Sequence, residues 1–251
     1  MAVQDKIVFI TGATGDIGYN IASALVKYNN KIIFTGHNKE KLINIKSQLD
    51  VINKGNSKEV FIDLSDIKNI KHTFKNILKE YGKIDAFIHC AGLAPFHPVP
   101  LIDYNSYINI FNVNYFSFIE TAKLFAQQKF SSSQNTGGGN IIAISSIITK
   151  LLENGRLEYA ATKSALETSV KIMAKEFIKK NIRVNMVRPA MVNTRMACDY
   201  LETICMRGKE KDMQPYGLIS PIEVTDMVLY LLSEKSSKIT GSIFDINGGI
   251  V

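Results

Sequence analysis

Short apolar runs alternate with amphipathic stretches from one end of this 251-residue chain to the other, and few folds accept that pattern. Parallel strands cannot be joined by a tight turn, so a buried strand followed by a striped helix, repeated, implies a parallel sheet with crossover helices. The runs read as strands near Ile7–Thr11, Ile32–Gly36, Glu59–Asp63, Ala86–Cys90, Ile141–Ser145, Arg183–Val187 and Ser242–Ile246. They predict an α/β fold, a doubly wound sheet of seven parallel strands flanked by helices on both faces, with residues 1–251 forming a single domain.

The helices carry the stripes this requires. Ile17, Ile21, Leu25 and Tyr28 mark one; Ile67, Ile70, Phe74, Ile77 and Tyr81 mark another, with Ser65 or Asp66 available as its cap. Ser220, Pro221 and Glu223 give a capping signal ahead of Val224, Val228, Leu231 and Leu232. Two stretches read as loops, Ser131–Gly139 and 196–218. The second follows a strand end and is long for a connector, so a substrate lid and a plain surface excursion both fit it.

Composition excludes several classes. A chain 46% hydrophobic and 21% charged is too rich in apolar residues for disorder. Lacking a long apolar run and a basic leader with a cleavage site, it predicts neither a membrane span nor secretion. Cys90, Cys198 and Cys205 are odd in number and lack metal-ligand spacing, so they read as reduced cytoplasmic thiols with no metal site. The net charge of +7 comes from lysines scattered over helical segments such as 67–79, which favours solvated faces over a nucleic-acid surface. An acidic partner or phosphorylated ligand stays compatible.

Chemistry enters at Thr11-Gly12-Ala13-Thr14-Gly15-Asp16-Ile17-Gly18, where a strand turns into a helix. Glycines let backbone amides approach a pyrophosphate, and a helix N-terminus supplies partial positive charge. The spacing 12, 15, 18 departs from G-x-G-x-x-G, and a tight turn without a ligand would use glycines too. Asp16 is awkward: it suits a helix entrance but would repel a phosphate unless turned away.

A second constellation follows the fifth strand, which ends in Ser145-Ser146; a helix beginning near Leu157 then carries Tyr159 and Lys163. Four residues apart, they share a helix face, so an ammonium can approach a phenol. A nearby cation is expected to lower the phenol's pKa from its ordinary value of about 10, and a shift of about three units needs roughly 4 kcal/mol. Tyr159 would then serve as general acid or base while a serine hydroxyl aligns the substrate oxygen.

In this order the residues resemble the compact single-domain branch of the short-chain dehydrogenase/reductase family, closest in pattern to 3-oxoacyl-carrier-protein reductases and related ketoreductases. The likeness runs through the glycine turn, Asp63, His89-Cys90-Ala91-Gly92, Asn114, Ser146, Tyr159-Ala160-Ala161-Thr162-Lys163, Pro189 to Thr194, and Asn247-Gly248-Gly249. It implies a Rossmann-type fold and a nicotinamide-dependent oxidoreductase moving hydride between NAD(P)H and a carbonyl or alcohol. By the same resemblance Tyr159 is the acid/base, Lys163 binds the nicotinamide ribose and lowers the tyrosine's pKa, Ser146 orients the carbonyl, and Asn114 holds the water of a proton relay. Gly12, Thr14, Gly15, Asp16, Ile17 and Gly18 would cradle the dinucleotide. His37, Asp63, Leu64, Ala91 and Gly92 would line its adenosine side and middle, and Pro189, Val192 and Thr194 its carboxamide end. A small-molecule substrate, possible attachment of it to a carrier, and a homo-oligomer, dimer or tetramer, are implied as well.

Four departures from the family pattern matter. Asp16 stands where the compact branch has glycine, His89-Cys90 where it has asparagines, Ala190 for glycine and Asn247 for aspartate. The extended branch shares the glycine spacing, but the stretch after Lys163 is too short for its substrate domain. Beyond the second strand no carboxylate appears before Glu40, while His37 and Lys39 are near, which favours NADP(H) over NAD(H). The alternative is a dinucleotide-binding regulator or scaffold whose altered glycine turn has ended turnover.

Overall fold

The computed structural model describes residues 3–130, 138–203 and 208–250. All seven strands form one parallel sheet in the order β3-β2-β1-β4-β5-β6-β7: β1 Ile7–Thr11, β2 Lys31–Gly36, β3 Ser57–Phe61, β4 Ala86–His89, β5 Gly139–Ile144, β6 Ile182–Pro189 and β7 Ile243–Ile246. The third lies two residues earlier than the sequence suggested, because β3 pairs Ser57 through Phe61 with Ile32 through Gly36. The expected loop over 131–139 falls mostly outside the described residues; Gly139 opens β5.

Strand residues alternate between two cores, which is why every crossover needs an apolar stripe. One face carries Val8, Ile10, Ile32, Phe34, Ile88 and Ile142 against α1 (Asp16–Lys27), α2 (Lys39–Ile52) and α10 (Pro221–Leu232). The other carries Phe9, Ile33, Phe87, Ile141 and Val184 against α3 (Ile67–Tyr81), α5 (Ser117–Phe125) and α7 (Leu157–Glu176). Phe87 stacks between Phe9 at 5.8 Å and Phe118 at 5.9 Å, and Phe9 meets Phe74 edge-on at 5.5 Å. Burying one such ring stabilises the fold by about 1.5–3 kcal/mol.

Helix ends follow their caps. Asp66, not Ser65, caps α3 through Asn69 N, and Ser220 with Glu223 closes the expected capping box on α10. Tyr28, expected on the apolar stripe of α1, is instead its 42% exposed C-cap, since the helix ends at Lys27 before another turn can carry it inward.

The remaining helices shape the sheet's C-terminal edge. α4 (Tyr104–Phe111) runs through a π turn, Asn112–Phe116, into α5; α6 (Ile148–Leu151) follows β5. The stretch read as a loop over 196–218 contains α8 (Arg195–Thr203) and α9 (Glu210–Met213), with 204–207 outside the described residues. Sequence periodicity missed α8 because only Ala197 and Leu201, four apart, form its buried row, and its cap, Thr194, lies just outside the weakly patterned stretch.

Candidate active site

Strand order reverses between β1 and β4, which opens a crevice at their C-terminal ends. Gly12, Thr14, Gly15, Asp16, Ile17 and Gly18 lie between β1 and the first turns of α1; His37 follows β2, Asp63 and Leu64 follow β3, and Ala91 and Gly92 follow β4. Ser146 follows β5, Pro189 closes β6, and Val192 and Thr194 lead into α8, Val192 bridging to Ile219. These fifteen positions, all but those on α7 and the π turn, therefore lie at or after strand ends at one edge, as the parallel topology requires.

The glycine turn packs closely against its own neighbours. Gly12 has φ +75°, and a Cβ there would stand 2.5 Å from Ala91 N; one at Gly18 would stand 2.4 Å from the Gly12 carbonyl oxygen. Gly36 makes room for Thr14, whose methyl would lie 2.7 Å from an added Cβ. Gly15 provides no side-chain cap for α1, so an anion can take that place at the helix N-terminus. Asp16 turns to Arg195: its carboxylate accepts from Arg195 N at 2.8 Å and Nε at 3.1 Å, and Nη2 approaches to 3.0 Å. Asp63 accepts from Ser65 N and Oγ at 2.9 and 2.7 Å, bonds that hold its carboxyl below the usual range, with His37 adding a smaller attraction.

On the opposite wall His89, Asn114, Thr162 and Lys163 are buried and hydrogen-bonded. The π turn brings Asn114 into the interior, where Oδ1 accepts from Leu93 N at 2.7 Å while Nδ2 donates to Leu93 O at 2.9 Å and to Thr162 Oγ1 at 3.0 Å. Thr162 passes the link onward by donating to the Tyr159 carbonyl at 2.8 Å. His89, where the family has asparagine, sits between Thr11 Oγ1 at 2.8 Å and the Asn114 carbonyl at 3.2 Å. A carbonyl only accepts, so Nε2 carries the proton and Nδ1 accepts from the Thr11 hydroxyl. Burial holds this imidazole neutral, its pKa down to about 3, and pushes the neighbouring Cys90 thiol up to about 12.

Tyr159 and Lys163 share the inner face of α7. Lys163 Nζ donates to the Ile144 carbonyl at 2.8 Å and lies 5.8 Å from the Tyr159 ring centre, and a Cβ on Gly92 would be 3.5 Å from it. Burial lowers the ammonium to about 8. The expectation that Lys163 pulls the phenol down is corrected: burial raises Tyr159 above its ordinary value, and the opposing influences are the Ser146 hydrogen bond and the charge of Arg156. The reason is desolvation, which penalises the phenolate more than the nearby hydrogen bond and charge favour it. Ser146 is the serine that lowers the phenol against burial, whereas Ser145 Oγ, just past β5, donates to Glu167 Oε1 at 2.9 Å.

Arg156 was not singled out by sequence. Buried at the entrance of α7, it donates to the Ala94 and Pro95 carbonyls at 2.6 and 3.0 Å and lies 4.3 Å from the Tyr200 ring centre on α8. Its signal was a cation one turn ahead of the tyrosine. Glu158, also buried, accepts from His97 Nδ1 at 2.8 Å and Ser106 Oγ at 3.0 Å. Arg195 was missed as well, although an acidic residue at a phosphate-facing helix end called for a counter-charge.

Comparison with known proteins agrees with this geometry. A family model described as enoyl-(acyl carrier protein) reductase matches residues 12–251. The 3-oxoacyl-[acyl-carrier-protein] reductase of Aquifex aeolicus is 30% identical over 99% of this chain and 98% of its own, and the 7alpha-hydroxysteroid dehydrogenase of Bacteroides fragilis 27% identical over 98% and 95%. A short-chain type dehydrogenase/reductase from Mycobacterium ulcerans superposes with a TM-score of 0.89 at 23% identity, covering 99% of this chain and 90% of that one. The 3-ketoacyl-(acyl-carrier-protein) reductase of Brucella melitensis complexed with NADH superposes at 0.86 and 20%, over 98% of both. Taken with the crevice, these likenesses establish that the chain belongs to the short-chain dehydrogenase/reductase family, oxidoreductases that pass hydride between a nicotinamide dinucleotide and a carbonyl or alcohol.

Proposed function

We propose that this protein is an NADP(H)-preferring ketoreductase acting on a 3-oxoacyl group, with Ser146, Tyr159 and Lys163 as its reacting set. The observation that carries the reading is that Lys163 Nζ lies 5.8 Å from the Tyr159 ring centre on α7 and is anchored to Ile144 O at the end of β5, just before Ser146. When bound, the nicotinamide supplies the hydride.

Ser146 and Tyr159 would hold the carbonyl oxygen between two hydroxyls, and the phenol gives its proton to the oxygen as negative charge develops there. Burial favours the protonated phenol, the form a reductase needs at the start of turnover. Lys163 would bind the ribose. The Asn114 side chain is occupied by Leu93 and Thr162 and its carbonyl faces His89 Nε2, so a relay water held by Asn114 would share one of these groups. Gly12 to Gly18, His37, Asp63, Leu64, Ala91, Gly92, Pro189, Val192 and Thr194 would hold the dinucleotide. The lack of a carboxylate in the segment His37-Asn38-Lys39 that follows β2 supports NADP(H).

The whole chain would act as one catalytic domain with the 196–218 segment over the substrate, working in the cytoplasm as a homo-oligomer. The relatives' acyl-carrier substrates and the net charge of +7 support an acidic carrier as the acyl donor. Likeness throughout is to enzymes, which leaves the scaffold alternative without support. The test is consumption of NADPH and of NADH with acetoacetyl thioesters of carrier protein and coenzyme A. Faster, tighter use of NADPH with the carrier-bound substrate is expected; no turnover of any 3-oxoacyl thioester would overturn the substrate, and equal use of NADH the cofactor preference.

A further inference from the structure

The glycine turn of this chain carries a carboxylate at the very helix end where a dinucleotide's phosphates are read to bind. Asp16 opens α1, and its two oxygens are engaged by one residue, Arg195, through the backbone N at 2.8 Å, Nε at 3.1 Å and Nη2 at 3.0 Å. Arg195 Nη2 also donates to the Thr14 carbonyl at 3.3 Å, so the guanidinium lies along the turn itself. The two residues are 179 positions apart and meet because β6 delivers α8 to the mouth of the crevice. Thr194, immediately before Arg195, caps α8 through Ala197 N at 3.3 Å, which fixes the backbone from which Arg195 reaches back.

We propose that Arg195 is a positioning residue for dinucleotide binding: by neutralising Asp16 and drawing its carboxylate off the helix axis, it makes an otherwise phosphate-repelling turn competent. This rests on the reading of the crevice as a nicotinamide dinucleotide site. Two unit charges of like sign within about 6 Å, at an effective dielectric constant of about 40, weaken association by about tenfold. Arg195 converts that repulsion into a neutral pair whose remaining guanidinium edge faces the turn. The pair also ties α8, which bears Tyr200 against Arg156, to the glycine turn, so the segment nearest the substrate and the phosphate end of the crevice share one anchor.

The experiment is a fluorescence titration of the full chain with NADPH and NADH at low and high salt, on wild type, Arg195→Ala, Arg195→Lys and the double variant Asp16→Gly with Arg195→Ala. Circular dichroism of each confirms that it is folded. Arg195→Ala is expected to bind about tenfold more weakly at low salt, with the deficit shrinking at high salt as the bare carboxylate is screened. Arg195→Lys should stay within about threefold of wild type, and the double variant should recover to about the same level, because removing the carboxylate removes the need for its partner. Unchanged affinity in Arg195→Ala, failure of Arg195→Lys to keep affinity, or a double variant as weak as Arg195→Ala would each overturn the proposal. Wild type that binds neither dinucleotide would instead overturn the reading of the crevice.

Discussion

The two lips of the crevice are built on opposite principles. On the catalytic lip, His89, Asn114, Thr162 and Lys163 are buried, and each polar atom named above is committed to a protein partner at 2.7–3.2 Å. On the dinucleotide lip, the Asp16–Arg195 pair holds the turn to α8 with side chains 30% and 66% exposed. Interior hydrogen bonds fix geometry because leaving one unmade is costly, whereas an exposed ion pair is exchanged cheaply for water. The lesson is a contrast in anchoring: the proposed catalytic lip is held by interior hydrogen bonds, the proposed dinucleotide lip by a partly exposed ion pair.

The largest expected effect separates chemistry from binding. Replacing Tyr159 by Phe should lower kcat by about 10²–10⁴-fold while a fluorescence titration shows dinucleotide affinity within about twofold of wild type. Full turnover with normal binding would remove the tyrosine from the reaction and dissolve the distinction between the lips.

Next comes the stability of the buried wall. His89→Leu leaves the Thr11 hydroxyl and the Asn114 carbonyl without their partner, and a loss of about 2–4 kcal/mol in urea unfolding is expected. A change under about 0.5 kcal/mol would mean that the histidine bridge carries no weight.

A pH series probes the same wall more gently. His89 has its folded pKa lowered to about 3 from an ordinary 6.5, so the unfolded chain takes up the proton first as pH falls. Its contribution is fully present above about pH 6.5 and is lost progressively between there and about 3, at about 1.4 kcal/mol per pH unit. Unfolding midpoints measured downward from pH 7.5 should fall accordingly, and His89→Asn should flatten that slope; an equal slope in the variant would assign the effect to other groups.

The smallest effect belongs to the dinucleotide lip. Arg195→Ala should cost no more than about 1 kcal/mol in thermal or urea unfolding, since its charge pair is largely solvent-exposed. A loss as large as that of His89→Leu would show that both lips are equally structural.

What could be read along the chain was whatever depends on short-range pattern. Apolar runs located the seven strands because β1, β2, β4, β5 and β6 are buried between helices on two faces and the edge strands β3 and β7 are half-buried, and the capping box at Ser220 and Glu223 placed the start of α10 because caps are written in adjacent residues. The pair Tyr159 and Lys163 was legible for the same reason, since a separation of four already means one helix face. Three things needed the folded chain. His89 as a bridge from Thr11 to Asn114, Arg156 held between the Ala94–Pro95 carbonyls and Tyr200, and Asp16 neutralised by Arg195 all join residues from separate elements. The same holds for the Tyr159 phenol, whose pKa is raised because burial outweighs its neighbours while Lys163 is held by the Ile144 carbonyl. Period and spacing encode which face a side chain occupies; desolvation and charge pairing depend on what another part of the chain brings to that face.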